Sequence, residues 1–159
     1  MRSVADFYQD CQAVAHAVPP LDVKLADAVS CVLAEDVQAP FNLPVADLSA
    51  CDGYAVRVRD CEGATLETPV TLPVTEEIRA GAVDPAALVP GTAIRIASGA
   101  PMPSGAEAVV SLEFTDHGIA QVALRTAPAS GENIRRRAED VAQGETVLRS
   151  GTRIGARQM

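Results

Sequence analysis

The sequence is poor in aromatic residues: Phe, Tyr and Trp together make up 3% of its 159 residues, and Trp is absent. Its core must therefore be built mainly from Val, Ala, Leu and Ile. Basic residues are also in deficit, since 13 Lys and Arg stand against 21 Asp and Glu and leave a formal net charge of −8. This charge repels nucleic acid and acidic lipid surfaces, so we expect no nucleic-acid partner and no membrane partner.

Residues that typically hold zinc or form catalytic triads are few. The two histidines, His16 and His117, have no partner at ligand spacing, and the four cysteines form no C-x-x-C pair. These absences argue against a zinc site and against Ser-His-Asp or Cys-His catalysis. We interpret the cysteines as small buried hydrophobic residues. No apolar run is long enough for a signal sequence or a membrane span, so we expect a cytoplasmic location.

Glycine and proline are abundant, with 11 of each, and they favour short strands and turns over long helices. Two amphipathic helices are nevertheless predicted near the N-terminus, because apolar residues recur there at three- and four-residue steps. Neither helix is long enough to persist alone in water, so each must pack against the other or against a partner chain. The apolar positions are Val4, Phe7, Cys11, Val14 and Val18 in the first helix, which Ser3 can cap, and Leu25, Ala28, Val29, Val32 and Leu33 in the second.

From Tyr54 onward the apolar pattern changes to a period of two, which predicts β-strands separated by glycine turns. We expect a compact β domain over residues 53–130 and an elongated helical and hairpin domain formed by residues 1–52 and 131–159. The tail at 145–152 is predicted to be a hairpin. The alternating positions are Tyr54/Val56/Val58, Val70/Leu72/Val74, Ile94/Ile96 and, less regularly, Val109-Val110 and Ile119/Val122/Leu124.

The stretch SACDGYAVR, residues 49–57, places Asp52 directly before a glycine. Asp-Gly pairs suit type I′ turns, in which both central residues have positive φ, so a plain hairpin corner is one interpretation. Two prolines and the non-alternating run 48–51 argue against a regular strand before that corner. The alternative is a rigid turn that presents the Asp52 carboxylate beside backbone N–H groups.

Two later stretches each allow two interpretations. In RIASGAPMPSGAEAVV, residues 95–110, a long hairpin connection is favoured, and the alternative is a turn at 98–100 that directs N–H groups and a hydroxyl outward to an oxyanion. In GENIRRRAED, residues 131–140, a strand would point Arg135 and Arg137 one way, toward a phosphate. Pairing of these arginines with acids of the same chain is equally compatible with the sequence.

Taken in order, the runs DGYAVR, RIASGAPMPSGAEAVV, NIRRRAEDV and GETVLRSGTRI resemble the N-terminal region of the MoeA family, which the gephyrin E domain shares. The resemblance covers nearly the whole chain. It implies a mainly β fold of coiled and bifurcated β-sheets with two N-terminal helices. It also implies that a pterin-binding α/β domain and a small C-terminal domain are absent from this chain.

The resemblance implies a molybdopterin molybdenumtransferase, which inserts molybdenum from molybdate into adenylylated molybdopterin (molybdopterin-AMP) and releases AMP during molybdenum cofactor biosynthesis. It further implies a divalent cation such as Mg²⁺ and a homodimer in which another subunit completes the cleft. The chain by itself is then expected to be inactive. The alternative is a non-catalytic dimerisation or scaffold module of the gephyrin type.

By the same resemblance, Asp52, Ser98 and Asp140 match catalytic residues of the cleft, and Asp52 and Asp140 are candidate metal ligands. Gly99, Arg135 and Arg137 are candidate contacts for phosphate or oxyanion groups. Carboxylates and a hydroxyl on rigid turns suit a hard cation and an oxyanion co-substrate.

Three positions depart from the family pattern: Leu48 replaces a polar residue, Cys51 replaces Met, and Ala138 replaces Gly. If position 138 requires positive φ, alanine costs about 1 kcal/mol there. The carboxylate next to Cys51 should raise the pKa of its thiol, so a buried structural cysteine is favoured over a reactive one.

Overall fold

The computed structural model describes residues 2–16 and 18–159 and is mainly β, with one α-helix and nine short strands in that part of the chain. The contacts divide the chain into two compact units. One consists of Met1–Val37 and Thr146–Met159, and the other of Gln38–Glu145. The predicted domain boundaries, at 52/53 and 130/131, stay a prediction, because compactness alone does not define a domain that folds independently.

The unit Gln38–Glu145 is organised around a five-stranded sheet. Its strands are β3 (Gly53–Val56), β4 (Val70–Ile78), β5 (Ala93–Ile96), β6 (Ala108–Ser111) and β7 (Gln121–Leu124), in the order β6-β3-β5-β4-β7. β3 pairs antiparallel with β5 and β6, and β4 pairs parallel with β5 and antiparallel with β7. Each run of alternating residues that predicted a strand contributes to this sheet.

The sheet curls because β4 changes partners along its length. Residues 70–73 pair with β7, whereas residues 74–78 pair with β5 after a register shift. The segment that follows β6 then meets the far edge, where Thr115 forms a bridge with Leu124 and the Arg125 N–H donates to the Phe114 carbonyl at 2.8 Å. Across the interior, the Tyr54 hydroxyl donates to the Gly118 carbonyl at 2.9 Å.

Side chains on both faces of the sheet are buried, in two apolar clusters. Alternation along β3 sends Tyr54 and Val56 into the first cluster and Ala55 into the second. The first cluster also contains Cys61, Leu72, Ala93, Ala108, Val110, Val122 and Leu124, and the second also contains Ile78, Leu88, Ile94, Ile96, Ala100 and Val109. As the composition predicts, this core consists mostly of aliphatic residues and alanine.

Helix α1 (Val4–Val14) begins where the sequence predicts. The Ser3 hydroxyl accepts from the Asp6 N–H, and the Asp6 carboxylate accepts from the Ser3 N–H, so the two residues form a capping box. None of the helix residues is buried. Within residues 2–16 and 18–159, no helix has both the length and the apolar character needed to cross a membrane.

The second predicted helix is wrong. The segment forms only a 3₁₀ turn, Leu25–Asp27, and Ser30 adopts a φ of +69°, which an α-helix does not allow. Its backbone groups bond to the C-terminal tail instead: the Leu33 N–H donates to the Thr152 carbonyl at 3.0 Å and the Ile154 N–H to the Cys31 carbonyl at 2.8 Å. Pairing with a distant segment therefore replaces the local hydrogen bonds of a helix.

The tail is also not the hairpin that the sequence predicts. β9 (Thr146–Leu148) pairs with β1 (Val37–Gln38), and Arg153 forms a bridge with Val32, so the tail is bonded to residues 30–38. The remaining strands, β2 (Leu48–Ser49) and β8 (Ile134–Arg135), pair with each other. The cysteine prediction holds for buried Cys61 but is wrong for Cys11 and Cys31, which are exposed.

The buried isoleucine on β5 and an exposed one allow a matched test of the core. Ile94 is 1% exposed and Ile119 is 79% exposed. We expect Ile94→Ala to lower the free energy of unfolding by about 3 kcal/mol, because it leaves a cavity, and Ile119→Ala to change it by less than about 0.5 kcal/mol. Urea unfolding of both variants measures the difference, and equal losses would contradict the assignment of Ile94 to the core.

Candidate functional site

The three stretches singled out in the sequence converge on residues 47–52. On one side, the Ser49 N–H donates to the Ala100 carbonyl, the Gly99 N–H donates to the Ser49 carbonyl, and Leu48 forms a bridge with Pro101. On the other side, Leu48 lies opposite Arg135 and Ser49 opposite Ile134 in the β2–β8 pair. Segment 47–52 is therefore held between the other two stretches by backbone hydrogen bonds.

Asp52 lies next to Ser98. Its Oδ1 atom accepts the Ser98 N–H at 2.7 Å, while the Ser98 hydroxyl lies 3.4 Å from the Ala50 carbonyl oxygen. Both residues are exposed. A carboxylate fixed by a backbone N–H retains its second oxygen for other partners, and Oδ2 accepts no hydrogen bond within residues 2–16 and 18–159.

The hairpin interpretation of the Asp-Gly pair is wrong. Neither Asp52 nor Gly53 has positive φ, and Gly53 is the first residue of β3. The glycine is required for a different reason: a Cβ at this position would collide with the carbonyl oxygen of Val110 on the neighbouring strand β6. The absence of a side chain allows β3 and β6 to approach each other directly beside Asp52.

The turn at 98–100 does not direct its N–H groups outward. The Ser98 N–H bonds to Asp52, the Gly99 N–H to the Ser49 carbonyl at 2.8 Å, and the Ala100 N–H to the Ala97 carbonyl at 3.0 Å. Gly99 has a φ of +75°, which closes this turn. The turn therefore positions the Asp52 carboxylate, and its exposed group is the Ser98 hydroxyl.

A pocket of about 160 Å³ opens beside Asp52, at the end of β3 and β5. Two charged residues that sequence reasoning did not select, Glu77 and Arg95, face it. The sequence contains one signal for Arg95, its position between the apolar residues Ile94 and Ile96. An ordinary half-exposed strand shows the same alternation, so this signal does not indicate a site. The remaining residues of the lining are Gly53, Ile96, Ala97 and Leu112.

The arginine run is largely paired with acids. Arg135 forms an ion pair with Asp140 at 2.6 Å, and Arg136 forms one with Asp47 at 2.7 Å. The predicted shared face of Arg135 and Arg137 assumed a longer strand, whereas β8 ends at Arg135. The Arg137 side chain is exposed and forms no ion pair within the described residues, so it is the arginine of this run that is available to a ligand.

Asp47, which the sequence did not mark as important, ties the run to the segment that leads to Asp52. Its Oδ1 atom accepts the Arg137 N–H at 2.8 Å, and its Oδ2 atom accepts from the Arg136 guanidinium. The Arg137 N–H, more than the Arg136 guanidinium, lowers the pKa of this carboxyl below its ordinary value. Among the predicted site residues, Asp52 and Ser98 form one hydrogen-bonded pair, and Asp140 and Arg135 form another. Within the described part of the chain, no hydrogen bond joins one pair to the other.

Two of the three departures from the family pattern, Ala138 and Cys51, have clear structural settings. Ala138 has a φ of +63°, so the position does require the left-handed conformation that glycine adopts readily. Burial, more than the neighbouring Asp52 carboxylate, raises the pKa of the Cys51 thiol above its ordinary value. Because Cys51 also packs against the second apolar cluster, a structural role is supported.

A protein-enclosed metal centre is not formed by these side chains. Within residues 2–16 and 18–159, no group of three or more His, Cys, Asp and Glu residues is arranged to hold a metal ion. Mg²⁺, however, commonly binds through one or two carboxylates and completes its shell with water and substrate oxygens. Asp52, with its unbonded Oδ2 atom, fits that mode of binding.

Comparison with known proteins identifies the class. Residues 2–159 match the family model described as MoeA N-terminal region (domain I and II), and the chain belongs to this family. A solved MoeA molybdopterin biosynthesis protein from Pyrococcus horikoshii OT3 aligns with a TM-score of 0.79 and 38% identity over 85% of this chain. The alignment covers 36% of that protein.

Curated relatives have consistent names. Molybdopterin molybdenumtransferase 2 of Mycobacterium tuberculosis is 50% identical over 151 residues, which is 95% of this chain and 37% of that protein. The molybdopterin molybdenumtransferase of Bacillus subtilis is 40% identical over 136 residues, which is 83% of this chain and 32% of that protein. The chain thus spans about a third of the length of these relatives.

The strained conformation at position 138 predicts a stabilising substitution. Ala138→Gly should raise the free energy of unfolding by about 0.5 kcal/mol, because the relief of left-handed strain exceeds the added entropy of the unfolded chain. The matched control is Ala142→Gly, at an exposed position without positive φ, which should lose about 0.5–1 kcal/mol. Thermal unfolding of both variants gives the sign of each change in stability. A lower stability of Ala138→Gly than of the wild type would contradict the prediction.

The lowered pKa of Asp47 predicts a pH-dependent contribution to stability. The ionised carboxylate is the form that accepts both hydrogen bonds, so its contribution is complete above the unfolded-state pKa of about 4 and is lost as the pH falls through the lowered folded-state value. Urea unfolding should therefore show Asp47→Asn less stable than the wild type at pH 7, by a margin that narrows toward pH 3. A stability difference that stays constant over this pH range would contradict the prediction. Asp84→Asn is the control, because it also removes one exposed carboxylate.

Proposed function

We propose that this chain is the N-terminal part of a molybdopterin molybdenumtransferase that inserts molybdenum from molybdate into adenylylated molybdopterin and releases AMP, in molybdenum cofactor biosynthesis. The observation that supports this most directly is the convergence of the three stretches on segment 47–52, with Asp52 held against Ser98 at 2.7 Å. Family membership and the names of the relatives support the same proposal. The activity belongs to the complete protein, and we infer that this portion alone is inactive.

In this proposal, Asp52 and Ser98 act at the reacting end of the cleft. Asp52 binds Mg²⁺ through its unbonded oxygen, and the Ser98 hydroxyl donates a hydrogen bond to an oxygen of the oxyanion or the phosphate. Bound Mg²⁺ would neutralise charge on the phosphate of the leaving AMP. Asp140, whose Oδ2 atom bonds to Arg135, is a second candidate ligand, and a metal would have to compete with that ion pair.

Gly99, Arg135 and Arg137 are proposed contacts for phosphate or oxyanion groups. Arg137 is the strongest of these candidates, because its exposed guanidinium forms no ion pair in the described part of the chain. Arg135 would bind a phosphate only by sharing its guanidinium with Asp140. Gly99 lacks a side chain and leaves space for a ligand beside Ser98.

We further propose that the protein acts as a homodimer whose second subunit completes the cleft. Helix α1 exposes an apolar set on its surface, with Val4 87%, Phe7 61%, Tyr8 62% and Val14 75% exposed. Exposed apolar sets of this kind mark surfaces that another protein covers. The predicted cytoplasmic location remains a prediction.

The function is tested with Asp52→Asn in the complete protein. Asparagine keeps an acceptor for the Ser98 N–H, so the turn is retained while the charge is removed. We expect molybdenum insertion, followed by AMP release, to slow by about a hundredfold or more, as for the loss of one preorganised electrostatic group. Size-exclusion chromatography should show an unchanged oligomeric state.

The matched control is Asp84→Asn, which removes an exposed carboxylate from a position with a φ of +54° that asparagine also tolerates. This variant should retain full activity. Full activity of Asp52→Asn would refute the catalytic assignment.

A further inference from the structure

Arg95 lies on the central strand of the curled sheet, with Tyr54 on β3 and Glu77 on β4 as its register partners. Residues directly opposite each other in neighbouring strands point to the same face of a sheet. Tyr54 is fully buried on that face, in the first apolar cluster, whereas Arg95 is half-buried. The Arg95 side chain therefore leaves the strand on the face that carries the first apolar cluster, and it is partly withdrawn from water.

The guanidinium of Arg95 is not paired with an acid in the described part of the chain. Within residues 2–16 and 18–159 it forms no ion pair, and its neighbour Glu77 lies instead within 3.6 Å of Arg79. Arg135 and Arg136, in contrast, are paired with acids at 2.6 and 2.7 Å. A guanidinium presents five N–H donors in a planar fork that matches the oxygens of an oxyanion.

The space next to Arg95 is large enough for such a ligand. The pocket of about 160 Å³ is lined by Arg95 together with Asp52 and Glu77. An adjoining pocket of about 230 Å³ is also lined by Glu77 and Arg95. A cavity of about 150 Å³ can hold a molecule as large as benzene, so a four-oxygen anion fits the first pocket.

The charges of the pocket determine what else must be bound. One guanidinium and two carboxylates leave one net negative charge, which would repel a free dianion. A divalent cation on the carboxylates reverses the sign and brings a positive charge next to the arginine. At Glu77 the cation would compete with the exposed ion pair to Arg79. The pocket therefore suits an oxyanion and a divalent cation bound together.

We propose that Arg95 binds a tetrahedral oxyanion in this pocket, and that Asp52 and Glu77 hold the divalent cation that accompanies it. This inference rests on the proposed function, since it places a substrate group of that reaction against Asp52. It adds Arg95 and Glu77 to the site as residues that bind and position the oxyanion.

Binding to the chain of 159 residues provides the test, with molybdate and AMP as probes in the presence of Mg²⁺. In spectra of the ¹⁵N-labelled chain, the Arg95 Nε–H signal should shift on titration. By calorimetry, Arg95→Gln should bind the probe about tenfold more weakly or worse, because a hydrogen bond to a charged group is lost. Removal of Mg²⁺ should weaken binding as well. If molybdate binds more tightly than AMP, the ligand is an inorganic oxyanion. If AMP binds more tightly, the ligand is a nucleotide phosphate. Each outcome supports the proposal when Arg95→Gln weakens the binding of that probe.

The matched control is Arg59→Gln, which removes the same charge from an exposed arginine that lies 3.7 Å from Asp60, and it should bind both probes unchanged. Shifts confined to the signals of residues 135–137, or equal binding by Arg95→Gln and the wild type, would overturn the proposal. If Arg95→Gln does not fold, the spectra of the unsubstituted chain still decide. Failure here leaves the proposed function standing, because that rests on the activity of Asp52→Asn in the complete protein.

Discussion

The packing of strand β3 is the constraint on which the rest of the larger unit depends. All four of its residues are buried, both of its edges are paired, and its side chains alternate between two apolar clusters. Gly53 brings this strand against the Val110 carbonyl with no space for a side chain. Because Asp52 directly precedes Gly53, the position of its carboxylate is set by a strand whose four residues are all buried, and the Ser98 N–H then fixes its orientation.

The acids and arginines around this strand serve two purposes. The pairs Asp47–Arg136 and Asp140–Arg135 are largely exposed, so each contributes little to stability, on the order of 0–1 kcal/mol, and mainly orients the arginine run. The charges are arranged differently in the pocket beside Asp52. Within the described residues Arg95 has no acidic partner there, although the carboxylates of Asp52 and Glu77 face the same space. A protein with a net charge of −8 thus retains, in the described part of the chain, an arginine without an acidic partner.

Much of the sheet was predictable from the sequence, because the apolar residues that recur at every second position along strands such as 70–78 and 93–96 are ones that the fold buries or half-buries. The second helix was not, since its apolar spacing is compatible with a helix while the decisive hydrogen bonds come from residues 151–154, far along the chain. Asp52 and Ser98, which were singled out in two separate stretches, are neighbours in the structure. The reason for Gly53 was hidden, because close approach of two strands leaves no local pattern. Arg95 was missed for a similar reason, because the three-dimensional structure alone shows that no acid of the described residues pairs with it.

The pairing of residues 47–49 with residues 134–137 has a consequence for the formation of the site. The hydrogen bonds that Asp47 makes join residues separated by 89 and 90 positions in the chain. Closing such a loop costs conformational entropy before any contact offsets it, and folds rich in distant pairings assemble slowly, in about milliseconds to seconds. The chain must therefore be made at least as far as Arg137 before the arginine run can meet the segment that leads to Asp52, whereas the contact of Asp52 with Ser98 needs the chain only as far as Ser98.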